Sequence, residues 1–452
     1  MSKIISADVV VVGAGVSGIY AAELFANQGL KTLLLDRQVE GKNGAQWING
    51  VAIDMLRAAD LPAPPEHCRY AHGDRFVFKM ALGEHRFLIE DAQEIFDVDM
   101  RSYGAWFLAR ARQAGVETYF GVEVNDVELS VARLTAIKAV KKSSEQPSEL
   151  TFHASLFVDA SGLPAVLRKK IPSLQKQCPK FAPNELCSAA AYVYTIKDAA
   201  AALDFLTQNQ VRPGDIFATL GLHGNYSLLR THISRDLKEI AFLTGSLTVR
   251  HYPSAQKIIH DFQKTHAWVG SPLFGGSRLI PLRPPLAHLV HDGLALIGDS
   301  ACQIYTPHAS GIGIGLVAAK ELVSALQPTL AQHKDFGALS ALVYYERNFH
   351  RNWLTLLASA DAMRRLTLRM PPETMQAIYE SGLINTAMVR DVLLQKTVKI
   401  RFAKLPSQIK ALCRHPKLIR ILVPFLSHAF FAHVGPFILS RVGQRYKHTP
   451  PP

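Results

Sequence analysis

The residues best placed to do chemistry are three glycines and an acid. Gly13-Ala14-Gly15-Val16-Ser17-Gly18 follows the apolar run ending at Val12, and Asp36 lies 18 residues beyond Gly18. That spacing suits a bound dinucleotide. Gly13 permits a tight turn out of a strand, Gly15 lets backbone approach a pyrophosphate, and Gly18 lets a helix pack closely on the strand. The helix that begins there points free N–H groups and its positive dipole end at the phosphates. Gly13, Gly15 and Gly18, with Val16 and Ser17 between them, are therefore the expected contacts. Asp36, followed by Arg37, would accept from ribose hydroxyls, and its charge disfavours a 2′-phosphate there. The nucleotide is expected to be FAD or NAD rather than NADP.

These residues need a β-α-β frame, and residues 7–36 supply one. Asp8–Val12 is almost wholly apolar, as in a parallel strand covered on both faces. Ile19, Ala22, Leu24 and Phe25 have helical spacing, Gly29 is a helix stop, and Lys31–Leu35 is the second strand. A glycine fingerprint alone is a weak signal, and an ordinary glycine-rich turn is the bland alternative. The strand, helix and acid at the right distances make it a strong one. No second fingerprint follows a strand elsewhere, so the chain is not expected to hold a separate NADPH domain.

A later segment decides between the two nucleotides. Leu294-Ala295-Leu296-Ile297-Gly298-Asp299-Ser300-Ala301 is a buried strand ending in Gly-Asp, and it leads through His308-Ala309-Ser310-Gly311-Ile312-Gly313-Ile314-Gly315 into an Ala-rich helix. Here the chain resembles the large FAD family of aromatic hydroxylases, flavin halogenases and geranylgeranyl reductases. The resemblance implies that Asp299, beside Gly298, binds the FAD ribityl chain. It also implies that the helix opening at Gly311, Ile312 and Gly313 points at the flavin pyrimidine, where a positive helix end stabilises reduced flavin. Leu156–Gly162 looks like the family's mid-chain Asp-Gly strand, so Asp159 is a cofactor candidate, with a strand-end turn residue as the equal alternative. Arg101 sits where the family places an arginine near FAD.

Within the family, the chain is most similar to the geranylgeranyl reductases. This rests on Gly298-Asp299-Ser300-Ala301-Cys302-Gln303, on His308 with Gly311-Ile312-Gly313, and on Tyr345-Glu346. The departures are definite. Thr306-Pro307 and Ala309-Ser310 differ from the family's loop, residues 44–50 lack its cysteine, and the halogenases' tryptophan-rich motif is absent. Gly224–Leu229 only half resembles the lipid-pocket strand. The resemblance implies that residues 44–50 lie beside the flavin, where Trp47 could stack and Asn49 could hydrogen-bond; a packed loop is the alternative. His308 is a candidate proton donor, since histidine titrates near neutral pH, with a structural role as the alternative.

The remaining pattern predicts an interleaved α/β fold. A hairpin is expected at 75–89 around a Leu82-Gly83-Glu84 turn, a helix at 103–114, and strands at 116–120, 156–158, 189–196, 215–222, 226–232 and 239–247. The expected fold is a Rossmann-like FAD domain from residues 1–75, 99–170 and 285–330. Residues 76–98 and 171–284 would form a mostly antiparallel substrate sheet, and 331–452 a helical basic C-terminal region.

Charge singles out that last region. The chain has 452 residues and a formal net charge of +13, and residues 331–452 hold 18 Lys and Arg against 6 Asp and Glu. Such a balance suits an anionic membrane surface or a plain solvated face. Ile421–Ser440 carries no charged side chain between basic flanks. Its Pro424, Gly435 and Pro436 argue against one straight spanning helix. An interfacial element with a basic rim and a helical pair packed on the body or in a dimer stay open. Five widely spaced cysteines fit a reducing compartment rather than a disulfide framework. No metal or nucleic-acid motif stands out. The expected protein is cytoplasmic, with peripheral membrane contact open. It is expected to pass hydride between flavin N5 and a hydrophobic, isoprenoid- or lipid-like substrate, with a transient donor such as NAD(P)H or another reductant. A monooxygenase using NAD(P)H and oxygen, and a non-enzymatic flavoprotein module at a membrane, are the alternatives.

Overall fold

The computed structural model describes residues 3–71, 75–82, 85–90, 94–142, 147–224 and 226–398. Its first layer is a sheet whose parallel core runs Leu294–Leu296, Ser148–Asp159, Lys3–Val12, Thr32–Asp36, Glu117–Phe120. The apolar runs explain the burial. Val9, Val10, Val11, Leu33, Leu34 and Leu35 are sealed on both faces. The register aligns the strand ends, with Val12 beside Leu35 and Asp159, and Asp159 beside Leu296. The glycine loop, Asp36, the turn after Asp159 and Gly298-Asp299 therefore leave the sheet together. Ligands of open α/β sheets bind at such carboxyl ends.

Helix Val16–Ala26 packs on this sheet between helices Met100–Gln113 and Ile312–Ala331. The contact with Ile312–Ala331 is close because it is made at Gly315. A Cβ there would overlap Ser17 Oγ. Gly13 needs its glycine twice over. Its φ is +113°, and a Cβ would meet the Ala160 backbone.

The second layer is a seven-stranded sheet in the order Val269–Pro281, Leu186–Ile196, Glu239–Leu247, Ser227–Ile233, Ile216–Leu220, Phe76–Met80, Arg86–Ile89. Every junction is antiparallel except that between Ile216–Leu220 and Phe76–Met80. The strand pattern misses its edge member, Val269–Pro281. Pro272, Gly275 and Gly276 interrupt the alternation, and the pairing is bulged near them. It also misses helices Ala199–Gln208 and Ala255–Thr265, and a hairpin of Val122–Ser130 with Arg133–Lys141. The short strand expected at 156–158 is the end of a twelve-residue strand. A small three-stranded sheet joins Ile48–Ala52, Ile95–Asp99 and Arg69–Ala71 and carries Trp47 at its margin.

Helices Leu339–Phe349, Thr355–Arg369, Pro372–Glu380 and Thr386–Leu393 follow. A π-helical turn, His350–Leu354, joins the first two. Arg364 and Asp361 are both buried, and Arg364 also donates to the Leu282 and Asn184 carbonyls. This satisfied pair docks helix Thr355–Arg369 onto the second sheet's edge. Ile421–Ser440 and Cys413 lie outside the described residues, as do Gly83 and Glu84 of the expected turn. No helix among the described residues is long and apolar enough to cross a membrane.

Candidate cofactor and active site

The glycine loop presents a prepared phosphate cradle. No side chain caps helix Val16–Ala26 at Gly15, and a Cβ on Gly15 would meet nothing within 4 Å. Val16 and Ser17 carry the first helical N–H groups beside that open space. Asp36 stands at the end of its strand. Its carboxylate accepts from Ala14 N at 2.7 Å and Gln38 N at 2.8 Å. A carboxylate has about four acceptor sites, so two remain for ribose hydroxyls. Asn43 ties down the loop from the other side, donating to the Ala14 carbonyl at 2.7 Å. Arg37, next to Asp36, is exposed.

The Gly298-Asp299 turn is built with equal care. Gly298 has φ +70°, and its N–H donates to Gln303 Oε1 at 2.7 Å. Gln303 Nε2 donates to Tyr345 Oη, which donates to the Leu296 carbonyl. Glu346 accepts from Leu289 N at 2.8 Å. Gln303, Tyr345 and Glu346 are thus braces that fix where Asp299 stands. Burial pushes the Asp299 carboxyl up to about 6, against the opposing charge of Arg278. Its Oδ1 lies close to the bare Cα of Gly311, where a Cβ would crowd it at 2.9 Å. Helix Ile312–Ala331 opens there with no side-chain cap. Gly313 packs so closely on Met55 that a Cβ would overlap it.

The second sheet covers this edge through a strand absent from the sequence expectations. Arg278 donates to the Gly44 carbonyl, lies 5.6 Å from the Trp47 ring, and feels the charges of Asp36 and Asp299. Gly276 lets the Trp47 indole lie against the strand, 3.2 Å from where its Cβ would be. Arg101 pairs with Asp99 at 2.7 Å and stacks 3.4 Å from the Phe274 ring centroid. The structure therefore brings Trp47 and Arg101 to the same strand, on which Arg278 was not foreseen. Asn49 is half-buried in the three-stranded sheet, opposite Val98.

Two candidates make contacts of the structural kind that their alternative readings allowed. Asp159 is fully buried, and its carboxylate accepts from Ser161 N, Ser161 Oγ, Leu167 N and Arg168 N. All four acceptor sites are used by its own turn, and these bonds shape the loop under Gly13. His308 contacts the Val392 carbonyl through Nε2 at 3.1 Å, and burial lowers it to about 4. The contact docks the helix Thr386–Leu393 against this loop. Beside it, buried Gln395 donates to Ser310 Oγ at 2.9 Å, and Lys396 pairs with Asp54 at 2.6 Å. The C-terminal segment thus clasps the loop between the Gly-Asp turn and its helix.

These parts fit FAD. Open backbone at Gly15, a half-spent carboxylate at Asp36, a part-buried acid at Asp299 and an uncapped helix at Gly311 line one sheet edge. Known proteins agree. Residues 8–170 match the family model described as FAD dependent oxidoreductase. Over 91% of its length the chain is 22% identical to digeranylgeranylglycerophospholipid reductase 2 of Methanopyrus kandleri, 98% of which is covered. A geranylgeranyl bacteriochlorophyll reductase-like protein from Thermoplasma acidophilum shares the fold with a TM-score of 0.71 at 15% identity, over 94% of this chain and all of that one. The flavin-dependent brominase Bmp2 shares it with a TM-score of 0.62 at 14% identity, over 91% of this chain and 99% of that one.

Proposed function

We propose that this chain, an FAD-dependent oxidoreductase, is a reductase or dehydrogenase of a hydrophobic, lipid-like substrate. The observation that carries this reading is the buried apolar cluster packed behind the loop that leads from Asp299 to its helix. Cys187, Ala189, Leu247 and Leu282 of the second layer pack with Tyr226, Ile280 and Ala309. Ala309 belongs to the loop between Asp299 and its helix, and Tyr226 Oη donates to the Thr306 carbonyl of that loop at 2.6 Å. Apolar packing behind the cofactor loop suits an apolar substrate there better than a charged metabolite. The phospholipid reductase relative supports the same class.

Residues Gly13, Gly15, Val16, Ser17 and Gly18 would hold the pyrophosphate, Asp36 the ribose, and Asp299 the ribityl hydroxyls. Gly298, Gly311, Ile312 and Gly313 would give backbone contacts at the ring, with Arg37 and Arg101 at the rim. Bound FAD supplies two-electron hydride chemistry at N5. The protein positions, excludes water and sets charge. The free N–H groups at Gly311–Gly313 favour negative charge nearby. Trp47 and Asn49 would orient the substrate from the small sheet. Arg278 is a candidate for an anionic head group, since its guanidinium is a cation at the centre of this edge, close to Asp36 and Asp299. The reductant is a transient partner, because the chain carries one glycine fingerprint.

The test is anaerobic incubation of the chemically reduced holoprotein with a polyprenyl phospholipid. The expected product is heavier by two hydrogens per reduced double bond, with flavin reoxidised in step. A product carrying oxygen, formed only in air, would replace this reading with a monooxygenase. Tight vesicle binding with a flavin that no donor reduces would replace it with a non-enzymatic module.

A further inference from the structure

The C-terminal segment places at the cofactor loop a residue whose type its backbone does not favour. Helix Thr386–Leu393 ends in two hydrogen bonds, Gln395 N–H to the Val392 carbonyl at 3.0 Å and Lys396 N–H to the Asp391 carbonyl at 2.8 Å. This pattern turns the chain through one left-handed residue, where glycine is the usual choice. Here that residue is Gln395, with φ +56°. A side chain in that region is strained, and such strain persists where the surroundings hold it. Gln395 is 2% exposed, and its Nε2 donates to Ser310 Oγ at 2.9 Å. Ser310 in turn exchanges backbone hydrogen bonds with Tyr305, at 3.1 and 2.9 Å. The glutamine therefore grips the neck of the loop that ends at Gly311.

The other end of the same amide lies beside helix Ile312–Ala331. Gln395 Oε1 is buried, has no hydrogen-bond partner among the described residues, and is 3.9 Å from the position of a Cβ on Gly313. Gly313 is in the first turn of that helix, which no side chain caps. A first turn carries free N–H groups and the positive end of the dipole. The amide oxygen, with its partial negative charge, is drawn to that end. The opposite amide orientation would set the Nε2 hydrogens against it, like pole to like. An acceptor left unmade in the interior is costly. Placed here, it offsets part of the positive field that the helix end offers to a ligand.

We propose that Gln395 is a positioning residue of the flavin site: its Nε2 holds residues 305–311, and its Oε1 lessens the positive field of the helix end at the flavin. The inference rests on the FAD reading above. A less positive helix end stabilises reduced flavin less, so the bound flavin is a stronger hydride donor than the bare helix end would make it. That direction suits a reductase. Residues 394–396 of the C-terminal region thereby become part of the cofactor site. The two ends of the amide have separable effects. Losing the grip on Ser310 frees the loop and weakens FAD binding in both redox states alike. Losing the oxygen favours reduced flavin over oxidised flavin.

The test measures FAD affinity and flavin midpoint potential in the full-length holoprotein, by fluorescence titration and by anaerobic reduction against reference dyes. Ser310→Ala should weaken FAD binding and leave the potential where it is. Gln395→Leu should weaken binding and also raise the potential. The ratio of reduced-flavin to oxidised-flavin affinity should grow roughly fivefold, the size of other charge effects at helix ends. Gln395→Met, unbranched and closer in shape, gives the same comparison where the leucine variant does not fold. A potential in the Gln395 variants equal to that of wild type would overturn the inference and leave the FAD reading standing. So would equal rises in Ser310→Ala and Gln395→Leu, since the loop alone would then account for both. A folded wild type that binds no FAD would overturn the inference and the FAD reading together.

Discussion

Asp299 concentrates the conflict between stability and binding in one side chain. Its carboxyl sits at about 6 instead of 3.8 because burial penalises the charged form. A folded-state pKa above the unfolded one means the fold disfavours ionisation. The penalty is absent below about pH 4, grows as pH rises through the window to 6, and is complete above it. The shift sets a ceiling of about 3 kcal/mol. Ribityl hydroxyls would donate to the ionised form and reverse the shift. We predict that Asp299→Asn melts higher than wild type at pH 7.5 without flavin, yet binds FAD at least roughly tenfold more weakly, since a hydrogen bond to a charged group is worth about 1.5–3 kcal/mol. FAD affinity of the wild type should fall from pH 7 to 5, and that of the variant should stay flat. Thermal melts and fluorescence titrations check both. The glycine loop and Asp36 stood out because their spacing is local, and Asp299 because its segment resembles a known family. Arg278 was not legible, since only the pairing of a distant strand brings it to Gly44. The partner of His308, Val392, was not legible either, because it comes from 84 residues away.

Among elements, the crossing of helices Val16–Ala26 and Ile312–Ala331 sets where both N-termini point. Gly315 has no room for a Cβ beside Ser17 Oγ. We predict that Gly315→Ala costs about 1–3 kcal/mol by overpacking and lowers FAD occupancy, as both helix ends shift. Ser17→Ala should recover part of the loss in a double-mutant cycle, because it removes the crowding oxygen. Additive losses would mean that the contact does not govern the crossing. Periodicity revealed both helices and most strands. It failed at Val269–Pro281, where glycines and a proline break the alternation but a neighbouring strand, Leu186–Ile196, supplies the ladder. It also failed to separate Ala199–Gln208 and Ala255–Thr265 from the strands around them, since each is one short amphipathic helix.

At the scale of the whole molecule, two sheets meet at one edge and a C-terminal clasp holds the loop between them. His308 to Val392, Ser310 to Gln395 and Asp54 to Lys396 are its three ties. The fold class was legible because the strand signals alternate between long parallel runs and hairpins. The clasp was not, since nothing in residues 386–396 marks their target. The charge-free stretch Ile421–Ser440 with its basic flanks remains a membrane proposal. Removing the residues after Arg420 should reduce co-sedimentation with anionic vesicles, most strongly at low salt, because screening weakens the basic flanks. Equal binding by the shortened chain would reject it.

The central claim is that the aligned strand ends hold FAD through the glycine loop and Asp299. The most direct measurement is the absorbance spectrum of the purified, folded protein after FAD reconstitution, with mass analysis of the released cofactor. The account predicts a flavin spectrum, FAD in about one-to-one ratio with the chain, and its loss in Asp299→Ala with the fold intact. A folded wild type that takes up no FAD, or an Asp299→Ala variant with undiminished occupancy, would contradict it.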